Sequence, residues 1–143
     1  MNAGKAFFDT NVLLYMHSAA DLRKQALAQQ VFQECLDHGR IVLSTQVVQE
    51  FHAAGLRKIA IPLDALRALT TALLDLPLVH VGPSHIRKAL WGEEHYRISF
   101  WDALILAAAE SAGAEVLYTE DLNNGQQYGT IRVENPFRHR KDG

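Results

Sequence analysis

The sequence has a single cysteine, Cys35, among its 143 residues. One cysteine cannot form an internal disulfide, which excludes a disulfide framework and fits a reducing compartment. The apolar runs are far shorter than the ~20 residues that a membrane-spanning helix needs. Asp9 and Asn11 also interrupt the apolar N-terminal stretch where a signal peptide would have its core. We therefore expect a cytoplasmic protein with no membrane association.

The motifs of several common active sites are missing as well. There is no glycine-rich phosphate-binding loop, since Gly4 is isolated near the N-terminus. The seven histidines form no His-Glu-x-x-His pattern, and none pairs with Cys35 at a zinc-binding spacing. The net charge is −2, so the chain is not a polycation. Any nucleic acid would have to be held by a local basic patch.

What the sequence does contain is an alternation of short apolar strands and amphipathic helices. Strands are predicted over residues 5–9, 41–44, 78–81, 116–119 and 130–133. Helices are predicted over residues 11–17, 22–37, 45–58, 63–75, 84–95 and 99–112, with Thr45 as the N-cap of the third. This order predicts an α/β fold, a single-domain three-layer α/β/α sandwich with a central, mainly parallel sheet. The domain is expected to span residues 1–137, followed by a polar tail at 138–143.

Four acidic residues stand where the predicted strands end or the following helices begin. Asp9 ends the first strand, and Asp121 comes just after the fourth. Glu50 lies in the second turn of the helix after the second strand, and Asp102 lies in the first turn of a helix that is apolar all round. Because the carboxyl ends of parallel strands share one edge of the sheet, these four side chains are predicted to meet there.

Each acid also has an ordinary structural interpretation. Asp9 is suited to cap a helix, and Asp121 to form a turn with the residues after it. Asp102 follows Ser99 in a Ser-x-x-Asp arrangement close to a capping box, and Ser99 is expected to support it there. Neither Glu50 nor Asp102 has a basic residue three or four positions away, so neither is explained by a helical ion pair.

The predicted convergence has an electrostatic consequence. Two carboxylates ~4 Å apart repel each other by about 4 kcal/mol at an effective dielectric constant near 20. A bound cation or raised pKa values would relieve this repulsion. Oxygen-only ligands select hard ions, so Mg²⁺ or Mn²⁺ is the expected cofactor, with Asp9, Glu50, Asp102 and Asp121 as ligands. Such ions support hydrolysis of phosphodiester bonds.

Four segments together resemble the PIN-domain ribonucleases, and in particular the VapC-type toxins of type II toxin–antitoxin systems. These segments are FFDTNVLLY, VVQEF, ISFWDALILAAA and LYTEDLNNGQ, and the similarity extends from about residue 6 to residue 137. The resemblance implies an endoribonuclease that uses metal-activated water, with the same four acids as its site. It also implies that Thr10, Asn11 and Thr119 orient the ligands. Finally, it implies a homodimer and a small antitoxin whose C-terminal segment enters the acidic groove.

Several nearby residues are less clearly assigned. Arg97 is the favoured RNA contact, because it shortly precedes Asp102. For Trp101, packing in the core or in a dimer is favoured over stacking on bases. Glu120 is less favoured than Asp121 as a residue of the acidic site, because neighbouring side chains at a strand end point in opposite directions.

Two other functions stay open at this stage. Histidines could cleave RNA without a metal, through the ribose 2′ hydroxyl, and leave a cyclic phosphate. Alternatively, the protein is non-catalytic and its acidic groove binds a basic peptide partner.

Overall fold

A six-stranded sheet forms the centre of the protein, whose computed structural model describes residues 4–138. The strands are β1 (Lys5–Phe8), β2 (Ile41–Ser44), β3 (Leu78–Val79), β4 (Ala114–Tyr118), β5 (Gln127–Tyr128) and β6 (Ile131–Glu134). Their order across the sheet is β3-β2-β1-β4-β6-β5, and only the β5–β6 pair is antiparallel. The predicted α/β fold with a mainly parallel sheet is therefore confirmed.

Six helices flank this sheet. They are α1 (Thr10–Tyr15), α2 (Leu22–Asp37), α3 (Thr45–Arg57), α4 (Leu63–Leu74), α5 (Pro83–Tyr96) and α6 (Phe100–Ser111). The N-cap of α3 is Ser44 and not Thr45, because the Ser44 hydroxyl accepts a hydrogen bond from the amide of Val47. The hydroxyl of Thr45 instead accepts one from the amide of Val81 and thereby joins α3 to the segment after β3.

Both faces of the sheet are covered. The successive residues Ala6, Phe7 and Phe8 of β1 are fully buried, although neighbouring strand residues point to opposite faces. Such burial on both sides accounts for the continuous apolar run in this strand. Cys35 of α2 is buried in the same core, as expected of a packing residue and not of a nucleophile.

The order of the strands determines where a site can form. From β1 the chain adds strands on one side as far as β3, and then crosses back to place β4 on the other side of β1. This reversal of direction leaves a crevice at the carboxyl ends of β1 and β4, where ligands bind in open parallel sheets. Asp9 directly follows β1, and Asp121 lies three residues after the last residue of β4.

Two of the predicted features need separate comment. Strand β5 was not predicted, because two residues after a turn are too few to show an alternating pattern. Of the predicted polar tail, residues 139–143 lie outside the described part of the chain. Within residues 4–138, no helix combines the length and apolar character needed to cross a lipid bilayer.

Candidate active site

Asp9 is held in place by two hydrogen bonds. Its Oδ1 accepts from the amide of Thr10 at 2.7 Å, which caps α1, and its Oδ2 accepts from the hydroxyl of Thr119 at 2.8 Å. Burial raises the pKa of Asp9 to about 7; the two hydrogen bonds oppose this shift, and the charges of Asp121 and Asp102 add to it. Only 7% of the residue is exposed. The capping interpretation of Asp9 is therefore correct, and its role in a site stays a prediction.

Three carboxylates come together at this point. Asp9, Asp102 and Asp121 each offer an oxygen, and these oxygens lie within 4.8 Å of one another. Burial raises the pKa of Asp102, as do the charges of Asp121 and Glu50, while a hydrogen bond with Ser99 opposes the shift. The carboxylates come from three elements that are distant in sequence, so the cluster exists only in the folded chain.

Glu50 lies beside this cluster and not within it. Its Oε1 accepts a hydrogen bond from the hydroxyl of Thr10 at 2.9 Å, and it lines the same groove as the three aspartates. The contribution of Glu50 to the raised pKa of Asp102 also indicates that the two charges are close. Its role as a direct ligand stays a prediction.

Thr119 connects the carboxylate of Asp9 to the backbone of Asp121. Its side chain is fully buried, donates to Asp9, and accepts from the amide of Asp121 at 3.1 Å and from the Asn11 side chain at 3.3 Å. The fourth predicted supporting residue, Ser99, acts differently. Its hydroxyl accepts from the amide of Asp102 and caps α6, so it orients the first turn of that helix.

Glu120 and Arg97, which were considered for the site, both lie elsewhere. Glu120 accepts hydrogen bonds from Lys24 and Tyr15, each at 2.7 Å, and so joins the end of β4 to the helices α1 and α2. Arg97 is the exposed C-cap residue of α5, in a left-handed conformation, and it does not line the groove.

The groove around the carboxylates has a volume of about 320 Å³ and contains residues that the sequence reasoning did not assign to it. They are Gln46, Arg57 and Lys58 from α3, and Trp101 from α6. Trp101 is 61% exposed, so packing in the core is ruled out, and packing in a dimer stays a prediction. The spacing of Gln46 and Arg57, at i and i+11, places them on one face of α3, and Lys58 is the C-cap residue that follows. This signal could have been read from the sequence once Glu50 was assigned.

Gln46 is unusual because it is buried without partners. The residue is only 7% exposed, and within the described part of the chain neither its Oε1 nor its Nε2 makes a hydrogen bond. The Oδ1 of Asn11 is likewise unpaired. Unsatisfied buried polar atoms cost free energy, so these three atoms are expected to destabilise the free protein.

The donors fit a hard divalent cation. All three clustered ligands are carboxylate oxygens, and their mutual repulsion contributes to the raised pKa values of Asp9 and Asp102. A cation at their centre would replace this repulsion with attraction and favour the ionised forms. Mg²⁺, Ca²⁺ and Mn²⁺ are ions that suit such oxygen donors.

Solved structures of other proteins share this fold. The VapC20 toxin of Mycobacterium tuberculosis, which cleaves the sarcin–ricin loop, aligns over 79% of this chain and 87% of its own, with a TM-score of 0.65 and 20% identity. A chain of a toxin–antitoxin complex from Klebsiella pneumoniae aligns over 92% of this chain and 98% of its own, with a TM-score of 0.70 and 20% identity. No curated protein matches the sequence significantly.

The sequence provides the evidence for family membership. The sequence model of the PIN domain matches residues 6–125, which is most of the chain and includes the groove carboxylates. Together with the observed topology, this match leads to one conclusion. The chain belongs to the PIN domain family.

Proposed function

We propose that this protein is a metal-dependent endoribonuclease that acts as the toxin of a toxin–antitoxin pair. The observation that carries the proposal is the convergence of Asp9, Asp102 and Asp121 in one groove of a PIN domain. The structural likeness to a toxin that cleaves the sarcin–ricin loop supports RNA as the substrate. The likeness to a toxin–antitoxin complex supports a small protein antitoxin as the partner.

The three aspartates would hold Mg²⁺ or Mn²⁺, with Glu50 at the edge of the site. When bound, such a cation acidifies a water molecule and offsets the charge of the phosphate. The protein contributes the geometry. Thr119 and the amide of Thr10 fix both oxygens of Asp9, while the Thr10 hydroxyl fixes one oxygen of Glu50. These contacts pre-position the carboxylates, so that little reorganisation is needed when RNA binds.

The alternative of metal-free histidine chemistry finds no support at this site. None of the histidines within residues 4–138 lines the groove. We therefore expect products with a 5′ phosphate and a free 3′ hydroxyl, and no cyclic phosphate.

An Asp9→Asn variant tests the proposal. The Asn side chain keeps the size of Asp9 but lacks its charge. Mutation of residues that only support a metal ligand lowers activity by up to roughly 100-fold, so loss of a ligand should lower RNA cleavage with Mg²⁺ or Mn²⁺ by more than that. Asp75→Asn is the matched control, since Asp75 is an exposed residue at the end of α4. Undiminished cleavage by Asp9→Asn, or cleavage that persists in EDTA, would contradict the proposal. A protein that neither cleaves RNA nor binds Mn²⁺ would favour a non-catalytic groove for a basic peptide.

The proposed biological setting has two further parts. The protein would act in the cytoplasm, and it would form a homodimer when free of antitoxin. Light scattering of the purified chain tests the second part, and a monomer at all concentrations would contradict it.

A further inference from the structure

The groove continues well beyond the carboxylates, along one face of α3. From the acidic end it is lined in turn by Gln46, Glu50, the small pair Ala53 and Ala54, and finally Arg57 and Lys58. Since a helix rises ~1.5 Å per residue, Arg57 lies roughly 10 Å from Glu50 along the helix axis. The charge of the groove therefore changes from negative to positive over that distance.

The two basic residues at this end are available for a ligand. Neither Arg57 nor Lys58 forms an ion pair with any residue within positions 4–138. The dipole of α3 favours cations in its last turn, but it does not require two of them to face the groove. In a chain with a net charge of −2, this pair is a local basic patch.

The opposite wall carries an exposed aromatic ring. Trp101 comes from the first turn of α6, directly before Asp102, and more than half of it is accessible to solvent. Leu14 of α1 also lines the groove and is partly exposed there. An exposed aromatic ring in a groove that also carries basic residues is how proteins bind unpaired bases, because stacking contributes about 1–3 kcal/mol per base.

We propose that the groove takes single-stranded RNA along α3. Arg57 and Lys58 each bind a phosphate further along the strand from the one at the carboxylates, and Trp101 stacks on a base next to the cleavage position. This inference rests on the proposed ribonuclease function and adds the residues that contact the RNA beyond the carboxylates.

Salt dependence of binding tests the basic pair. Binding of a labelled single-stranded oligoribonucleotide is measured in EDTA at several salt concentrations, for the natural protein and for Arg57→Gln/Lys58→Gln. Two lost phosphate contacts should weaken binding roughly tenfold at low salt and make the slope of log K against log salt shallower by about 1.4. The control is Arg87→Gln/Lys88→Gln, a neighbouring pair on α5 that does not line the groove and changes the net charge equally.

The expected result is a shallower slope only when Arg57 and Lys58 are changed, with recovery in Arg57→Lys/Lys58→Arg. Equal slopes for the natural protein and the Arg57→Gln/Lys58→Gln variant would overturn the proposal. If that variant does not fold, the charge is removed from the RNA instead, with one neutral methylphosphonate linkage placed at each position in turn. A neutral linkage away from the cleaved bond should then weaken binding to the natural protein, and the proposal is wrong if none does.

Fluorescence tests the stacking role of Trp101. The chain has two tryptophans, so Trp91→Phe leaves Trp101 as the only indole, and Trp101→Phe leaves Trp91. Addition of the single-stranded RNA should quench Trp101 strongly and leave Trp91 unchanged, and duplex RNA should quench Trp101 much less. Quenching of Trp91 alone, or equal quenching by duplex RNA, would overturn this assignment.

These measurements separate the inference from the proposed function. RNA that binds in the groove but is not cut with Mg²⁺ or Mn²⁺ would support the groove and contradict the nuclease. Cleavage that is undiminished in Arg57→Gln/Lys58→Gln, together with an unchanged salt slope, would support the nuclease and contradict the groove. If the basic pair proves necessary only for binding a protein partner, the RNA path is also wrong.

Discussion

At the scale of single residues, the hydrogen bonds of Asp9 favour its ionised form, whereas its surroundings favour the protonated form. It caps α1 and accepts two hydrogen bonds, but it is buried beside two other carboxylates, so its pKa rises from 3.8 to about 7. In the folded protein without metal it therefore keeps its proton to higher pH than in the unfolded chain. The protonation of Asp9 therefore stabilises the folded state. This stabilisation is fully present below pH ~4 and is lost as the pH rises through ~7.

We predict that Asp9→Asn flattens this pH dependence. In EDTA the free energy of unfolding of the natural protein should fall between pH ~4 and ~8 by up to about 4 kcal/mol from this group alone. The Asn side chain does not titrate, so the variant should lose most of that slope. Urea denaturation across this pH range measures it, with Asp75→Asn as the control. An unchanged slope in Asp9→Asn would show that Asp9 is not the titrating group.

A second residue-scale prediction concerns Gln46. Because neither amide atom has a partner, Gln46→Leu should leave the free energy of unfolding unchanged or raise it by about 1 kcal/mol. Thr119→Val, which removes a hydroxyl with three hydrogen bonds, should instead cost about 1–3 kcal/mol. Urea denaturation of both variants measures these changes in the free energy of unfolding. A loss in Gln46→Leu as large as that in Thr119→Val would mean that the amide is satisfied within the free protein.

At the scale of secondary-structure elements, the start of α6 links folding to the site. Ser99 caps the helix whose first turn carries Asp102, and most of the remaining helix is buried. We predict that Ser99→Ala lowers the free energy of unfolding by about 1 kcal/mol and that Ser99→Asn, also a good N-cap, restores it. Nuclease activity well below the melting temperature should stay near the natural level in Ser99→Asn. A stable but inactive Ser99→Asn protein would instead assign Ser99 a direct role among the carboxylates.

At the scale of the whole molecule, the site depends on folding. Asp9, Asp102 and Asp121 follow or begin different elements, so the unfolded chain has no preformed ligand set. A cation that binds only the folded state should stabilise it, by about 2.7 kcal/mol at 100 times its dissociation constant. We predict that Mn²⁺ raises the free energy of unfolding of the natural protein and of Asp75→Asn, and much less that of Asp9→Asn. Equal stabilisation of all three would place the ion elsewhere.

The elements themselves were largely predictable because their signals are local. The apolar run at 103–109 predicted a buried helix, and α6 is buried there. The apolar segment before Asp9 predicted a buried strand, and Ala6, Phe7 and Phe8 of β1 are fully buried. Strand β5 has no comparable pattern, and the cap of α3 was misplaced by one residue because Ser44 and Thr45 are both good caps.

The sequence by itself determined the α/β class and put acidic residues after strands that must end at one edge of the sheet, because periodicity and turn chemistry are local properties. Only the tertiary structure decided which residues share the groove. It brought Arg57 and Lys58 there in place of Arg97, exposed Trp101, and raised the pKa of Asp9. These outcomes depend on how each helix is rotated against the sheet and on how much water remains around each side chain. Both are set by contacts between residues distant in sequence.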